Sequence, residues 1–204
     1  YKKRKKNILK FLKKFSRNVS IINDHKNIKK NTFICFIVSY YKIIPLKFLK
    51  FCKFNLVVHE SDLPKGKGFS PLFHQILEGK KQITFTLFEA SKKMDSGNFY
   101  FKKNFYFNKN LLYEEIKDLQ FKSALKMFEK FIKKYNKYKK VQTFKQSGKS
   151  TFYPKRSSKD SELNINKSLI KQFNLLRICD NENFPAFFIY KKNKYLLKIT
   201  KCKN

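Results

Sequence analysis

Between residues 54 and 100 the chain alternates short apolar runs with polar tips punctuated by glycine and proline, and no other stretch limits the fold as much. Residues 54–58 are apolar and β-branched enough to read as a buried strand. His59, Glu60, Ser61 and Asp62 follow at its end, and a loop runs over 63–68. Of the chain's 5 glycines, all but Gly148 fall here, at Gly66, Gly68, Gly79 and Gly97, as do Pro64 and Pro71. A chain this poor in glycine places it where the backbone needs a positive φ or a close approach. Ser70–Pro71 reads as a helix start, with serine as N-cap and proline at the first helical position, and Gly79 as its stop. Residues 83–88 form a second apolar strand, and the polar turn 94–97 precedes a third over 99–101. This order predicts an α/β fold, in which functional side chains gather outside the carboxyl ends of strands.

Two motifs occupy the polar tips. His59, Ser61, Leu63 and Pro64 spell His-x-Ser-x-Leu-Pro within HESDLPKGKGFSPLFHQILEG, and Asp95, Ser96 and Gly97 spell Asp-Ser-Gly within LFEASKKMDSG. In this order and spacing the chain resembles the folate-dependent formyltransferases, most closely the sugar N-formyltransferases and more distantly methionyl-tRNA formyltransferase. The resemblance covers about residues 33–200 and is densest over 54–100. It implies a Rossmann-like, open and mostly parallel sheet with a small C-terminal helix plus β-hairpin. The implied activity is transfer of a formyl group from N10-formyltetrahydrofolate to the primary amine of a nucleotide-linked amino sugar, in surface polysaccharide, lipopolysaccharide or other glycan biosynthesis. Methionyl-tRNA formyltransferase is one alternative. A shortened, weakly active or inactive protein that binds folate or nucleotide sugar is the other.

From position alone, His59 ends a buried strand beside three polar residues, and Asp95 ends another element far along the chain. The resemblance makes them the catalytic pair. Imidazole suits proton transfer near neutral pH, and a carboxylate partner orients it and steadies the cation it becomes. The resemblance further implies that Tyr40, Ile43, Ser61, Leu63, Pro64, Gly68, Ser96 and Gly97 bind the folate donor. Lys65, Lys67, His74, Tyr153, Lys155 and Arg156 are the candidates for the anionic acceptor. No metal site is expected. One departure stands out: the family opens with Asn-x-His, whose asparagine donates to the formyl oxygen, and here that position is Val57. Loss of such a donor costs about 3–4 kcal/mol of transition-state stabilisation unless something replaces it. Backbone N–H groups of the 59–68 loop, or a protonated His59, are the candidate replacements.

Charge bounds the partners. The chain carries 48 Lys+Arg against 14 Asp+Glu, a formal +34, yet only Arg4, Arg17, Arg156 and Arg177 are arginine. Specific phosphate and base-edge readers favour arginine, so the field reads as diffuse attraction for anions, and a nucleic-acid partner is not the favoured reading. At 42% hydrophobic residues the chain holds enough apolar surface for a core. Cys35, Cys52, Cys179 and Cys202 are scattered, which argues against a zinc site or disulfide framework and for a reducing, cytoplasmic setting. No apolar run is long enough for a transmembrane helix.

Elsewhere the patterns are coarser. Ile8, Leu9, Leu12 and Phe15 stripe a basic first helix, with lysines outward. Residues 19–22 and 33–38 read as strands, 24–27 as a turn and 46–51 as a short helix. Residues 99–107 read as strand or hairpin, and the stripe from Leu112 to Tyr135 as one long helix or two in series, with acids early and lysines late, which suits the helix dipole. Gly148-Lys149-Ser150 matches only the tail of a P-loop and is set aside. Asn166 reads as the cap of a helix carrying Leu169 to Arg177, and residues 184–190 and 195–199 as a terminal hairpin whose apolar face permits a homodimer. The expected organisation is a catalytic domain over 1–135 lacking its first strand, a linker over 136–165 and a helix-plus-hairpin subdomain over 166–204.

Overall fold

The computed structural model describes residues 2–202, with side chains from Lys6 onward. Expectations for Tyr1, for the 203–204 end and for the lysine side chains before Lys6 lie outside the described residues. Helix α1 spans Lys2–Leu12, and its stripe packs inward through Phe11 while Lys6 and Lys10 are exposed. Four strands build the main sheet: β1 (Thr32–Ile37) and β2 (Cys52–His59), linked through the short helix α2 (Leu46–Leu49), then β4 (Gln82–Glu89) and β5 (Phe99–Tyr106). The two-residue strand β3 (Lys67–Gly68) and helix α3 (Pro71–Leu77) lie between β2 and β4. The sheet order is β1-β2-β4-β5.

Only the β1–β2 pair is parallel; β2–β4 and β4–β5 are antiparallel, so the expected mostly parallel sheet is corrected in that respect. The reason lies in where each connection ends. The loop and α3 deliver the chain beyond the carboxyl end of β2, as the pairs His59–Thr86 and Leu56–Glu89 show, so β4 runs back beside it, whereas the crossover through α2 returns the chain to the start of β1 and makes that pair parallel. Helix α4 (Tyr113–Tyr138) covers one face of the sheet, where Leu56, Phe85, Leu87 and Tyr100 meet Phe128 and Phe131. It is a single helix: the Glu115 carboxylate accepts from the Leu112 N–H at its start, and Lys139 ends it in the left-handed region. The remaining elements are β6 (Phe152–Tyr153), α5 (Leu169–Arg177), β7 (Ala186–Tyr190) and β8 (Asn193–Leu197), the last two forming the terminal antiparallel hairpin. The fully buried Arg177 guanidinium donates to the carbonyls of Asn108 and Leu111, fastening α5 to the turn before α4.

Three local expectations change. Residues 19–22 form no strand, since Ser20 breaks the apolar run and β1 takes only β2 as its neighbour. Ser70 precedes α3 but has φ 48° and makes no side-chain capping bond; Pro71 opens the helix by its fixed φ alone. Asn166 does not cap α5: the cap position is Ser168, and the Asn166 N–H donates instead to Asn164 Oδ1 at 2.8 Å. The stop at Gly79 follows the expected chemistry. Gly79 N–H donates to Ile76 O and Lys80 N–H to Gln75 O, a Schellman close that places Gly79 at φ 82°.

Candidate functional site

Alternation along β2 decides which side chains share a face. Leu56 and Val58 pack into the core under α4, so Asn55, Val57 and His59 belong to the other face. His59 is the last residue of β2, buried, and paired in register with Thr86 of β4. The Thr86 hydroxyl, also fully buried, donates to Ser61 O at 2.6 Å and so pins the start of the following loop to the sheet. The loop then doubles back, and Gly66 O accepts from His59 Nε2 at 2.8 Å. Because a carbonyl can only accept, this contact puts a proton on Nε2.

Asp95 arrives from the β4–β5 connection. Its Oδ2 lies 3.8 Å from His59 Nε2 and accepts from the Gly68 N–H at 2.9 Å. At 3.8 Å the two side chains are ion-pair neighbours without a hydrogen bond, the ring being held by Gly66 O instead. Asp95 sits at φ 48°, a strained backbone for a residue with a side chain. Gly97 explains the tight return: an added Cβ there would lie 1.7 Å from Glu89 O, so the turn closes only on glycine. Gly66 at φ 68° and Gly68 at φ 96° meet the same demand on the opposite loop, where a Cβ on Gly68 would lie 2.5 Å from Tyr153 O.

The predicted donor residues divide. Gly68, Ser96 and Gly97 adjoin Asp95, Ser61 is tied to Thr86 opposite His59, and the buried Leu63 and half-buried Pro64 form the turn of the loop. Ser61 Oγ is buried without a hydrogen-bond partner. Tyr40 instead pairs its hydroxyl with His25 Nδ1 at 2.7 Å in the second apolar cluster, and Ile43 stands exposed. Among the acceptor candidates, Lys67 departs from the usual solvated lysine: it is buried, with Nζ 3.1 Å from Ser96 Oγ. Lys65 and Lys155 are exposed, and Arg156 donates to Asp160 O. His74 stacks on Tyr153 at 4.6 Å between ring centroids and pairs its Nε2 with Pro154 O. The Tyr153 hydroxyl donates to Glu78 Oε1 at 2.7 Å; burial foremost, then this carboxylate, pushes the phenol above its ordinary range. These two rings clasp residues 152–154 against α3.

Val57, at the position of the missing amide, pairs with Ile37 and Phe88 in the sheet. Asn55 does not substitute for it, because its Nδ2 is committed to Leu49 O and Glu89 Oε1. Burial, acting against the hydrogen bonds it accepts, raises the Glu89 carboxyl above its ordinary range. The loop amides are occupied too: Leu63 N donates to Thr86 Oγ1, Lys65 N to Asp62 O, Gly66 N to Thr151 Oγ1, Lys67 N to Thr151 O and Gly68 N to Asp95. Of the replacements expected from sequence, these bonds leave the amides of 60–62 and His59, joined by the buried ammonium of Lys67.

Sequence reasoning missed Thr86, Gln146 and Thr151. The last two lie in the segment expected to be a linker, yet that segment is sewn to both halves of the site. Phe144 exchanges backbone hydrogen bonds with Phe99, Gln146 Nε2 donates to Asp95 O and Gly97 O, and β6 pairs in parallel with β3. No periodicity marks such a strap. A separate cavity of about 70 Å³, bounded by Ser39, Val58, Glu60, Gln120 and Phe128, lies under α4 on the opposite face from His59. It is far smaller than ligand pockets of several hundred Å³.

Comparison with known proteins bears on this arrangement. A methionyl-tRNA formyltransferase from Protochlamydia amoebophila is 28% identical over 153 residues, covering 74% of this chain and 48% of that protein. The chain thus spans about half the length of the curated relatives it matches. A methionyl-tRNA formyltransferase structure from Clostridium thermocellum superposes with a TM-score of 0.78 at 25% identity, covering 98% of this chain and 89% of the other. An N-formyltransferase from Helicobacter canadensis, solved with folinic acid and dTDP-3-aminofucose, shares the fold at a TM-score of 0.62 and 22% identity, over 85% of this chain and 64% of that one. The family model described as formyl transferase matches residues 12–126, more than half of the chain and the whole span from the end of α1 through the His59 and Asp95 tips into α4: the protein belongs to the formyl transferase family.

Proposed function

We propose that this protein transfers a formyl group from N10-formyltetrahydrofolate to a primary amine, and that the amine is the one carried by methionyl-tRNA. The observation that carries the chemistry is the approach of His59 Nε2 to Asp95 Oδ2 at 3.8 Å, with both side chains largely buried. The buried, unpartnered Ser61 hydroxyl, packed against the Gly66 whose carbonyl holds His59, fits a polar one-carbon group, so the residues present suit a formyl donor. When bound, the donor supplies an activated carbonyl carbon. His59 takes up the proton that the attacking amine must shed, and returns one to the departing nitrogen. Asp95, held in place by the Gly68 N–H, stabilises the imidazolium between those two events. Lys67 contributes fixed positive charge at the Ser96 side, where negative charge on the formyl oxygen needs a counterpart.

The acceptor reading departs from the resemblance to sugar enzymes. Supporting it are the similarity to methionyl-tRNA formyltransferases and the uneven placement of charge. Acids cluster in the first turns of α4, at Glu114, Glu115 and Asp118, while its far half exposes Lys126, Lys130, Lys133, Lys134 and Lys137. Glu129 is the one acid there, and it is paired with Lys133. Lys133 foremost, helped by Lys14 just after α1, holds the Glu129 carboxyl below the usual range, and so Lys14 joins the same face. Such a face suits an RNA backbone, whose phosphates release counterions on binding. Incubation with N10-formyltetrahydrofolate and charged initiator tRNA, or in parallel with nucleotide-linked amino sugars, tests the choice by mass spectrometry. Gain of one formyl group on methionyl-tRNA is expected. A formylated sugar with untouched tRNA would overturn the acceptor assignment, and no transfer to either would overturn the enzyme assignment.

The Val57 position yields its own prediction. Val57→Asn is expected to leave turnover within a factor of about three, because the amides of 60–62 and the buried Lys67 ammonium already supply what the asparagine amide would provide. A gain near the 10²–10³-fold worth of an oxyanion donor would identify a damaged site instead. Steady-state kcat of the two proteins decides between them.

A further inference from the structure

We infer that Gln146 is a positioning residue for Asp95, and that the strap carrying it is part of the catalytic apparatus; this rests on the formyl-transfer reading above. The Gln146 side chain comes from a polar segment far along the chain, and its Nε2 donates to Asp95 O at 3.0 Å and to Gly97 O at 2.8 Å. Those carbonyls bracket the turn that aims the catalytic carboxylate. The orientation of the amide is not arbitrary, since a reversed amide would set its oxygen against two carbonyl oxygens. Its own Oε1 is buried and unpartnered, a cost that a segment selected only for stability would avoid. Meanwhile Asp95 holds φ 48° and Gly97 packs so closely on Glu89 O that the turn has little freedom to relax. A strained turn persists only where its surroundings over-determine it, and from outside the turn Gln146 fastens two of its carbonyls while Lys67 meets only the Ser96 hydroxyl.

The strap also reaches the other half of the site. Thr151 Oγ1 accepts from Gly66 N, Thr151 O accepts from Lys67 N, and Tyr153 O fills the space beside Gly68. Gly66 holds His59 and Gly68 holds Asp95, so one segment sets the distance between imidazole and carboxylate from both sides. Removing the Gln146 donors frees the Asp95 turn and loosens the Gly68–Asp95 bond, without touching any group that meets the acceptor.

Two variants test this in the full chain. Gln146→Glu keeps size but replaces the donors by oxygen, and Gln146→Leu removes polarity. Both are expected to lower kcat for formyl transfer about 10–100-fold, the scale of a misplaced catalytic group, with the acceptor KM changed less than about threefold. A rise in KM with kcat unchanged would overturn the proposal. In a double-mutant cycle, Gln146→Leu added to Asp95→Ala should cost no further rate, whereas full additivity would show that Gln146 does not act through Asp95. A readout without activity accompanies these: hydrogen exchange at the Gly68 amide should speed up at least tenfold in either variant. Unchanged Gly68 exchange would overturn the positioning role even if the protein transferred no formyl group, so failure of the function and failure of this inference remain distinct.

Discussion

Replacing His59 by alanine is expected to lower the rate of formyl transfer about 10²–10⁴-fold, the range for loss of a positioned proton-transfer group. The side chain is the one imidazole at the carboxyl end of β2, and it faces Asp95 across 3.8 Å. Asp95→Asn should fall in the same range, and the double variant should lose little more than either alone, because the two act as a unit. Removal of the ring also leaves Gly66 O without its donor in a buried place, so a stability loss of about 1–3 kcal/mol accompanies the loss of rate. Thermal melts separate the two effects: a folded His59→Ala protein with near-normal turnover would end the case for this site.

Gly97→Ala is expected to produce the largest structural effect in the chain, a loss of about 3 kcal/mol or more. Its Cβ would coincide with Glu89 O at 1.7 Å, and both partners are backbone that cannot swing aside. Glu89 N is meanwhile bonded to Asn98 O, so the turn cannot widen without opening the end of the β4–β5 ladder. Gly79→Ala is the matched control. Nothing lies within 4 Å of a Cβ there, and only its φ of 82° resists, which limits the cost to about 1–2 kcal/mol. For a chain of this size each kcal/mol moves the melting temperature by about 2–4 °C, so the two variants should separate clearly in thermal melts. Equal shifts would mean that the Asp95 turn relaxes, and that the placement of Asp95 does not depend on glycine.

Much of the site was legible because its signals are local. The apolar run before His59 and the paired glycines of the 66–68 loop mark a strand end and a tight loop whatever surrounds them. The proline–glycine frame of α3 was legible for the same reason, although Ser70 adopts a left-handed turn that no capping rule anticipates. Lys67 was legible as a candidate for an anionic substrate but not as a buried residue, since nothing in KGKG reveals that the 144–153 strap will cover it. His74 and Tyr153 looked like separate candidates for substrate contact, and they proved to stack on each other.

By itself the sequence determined the α/β class, the strand and helix that frame His59, and the turn that must contain Gly97. Apolar period and backbone chirality act over a few residues and need no distant partner. Only the tertiary structure decided that β4 runs antiparallel to β2, that Asp95 meets His59, and that Gln146 and Thr151 belong to the same site. Those outcomes depend on pairings between segments that loop closure brings together late, and such pairings leave no periodic trace in either segment alone.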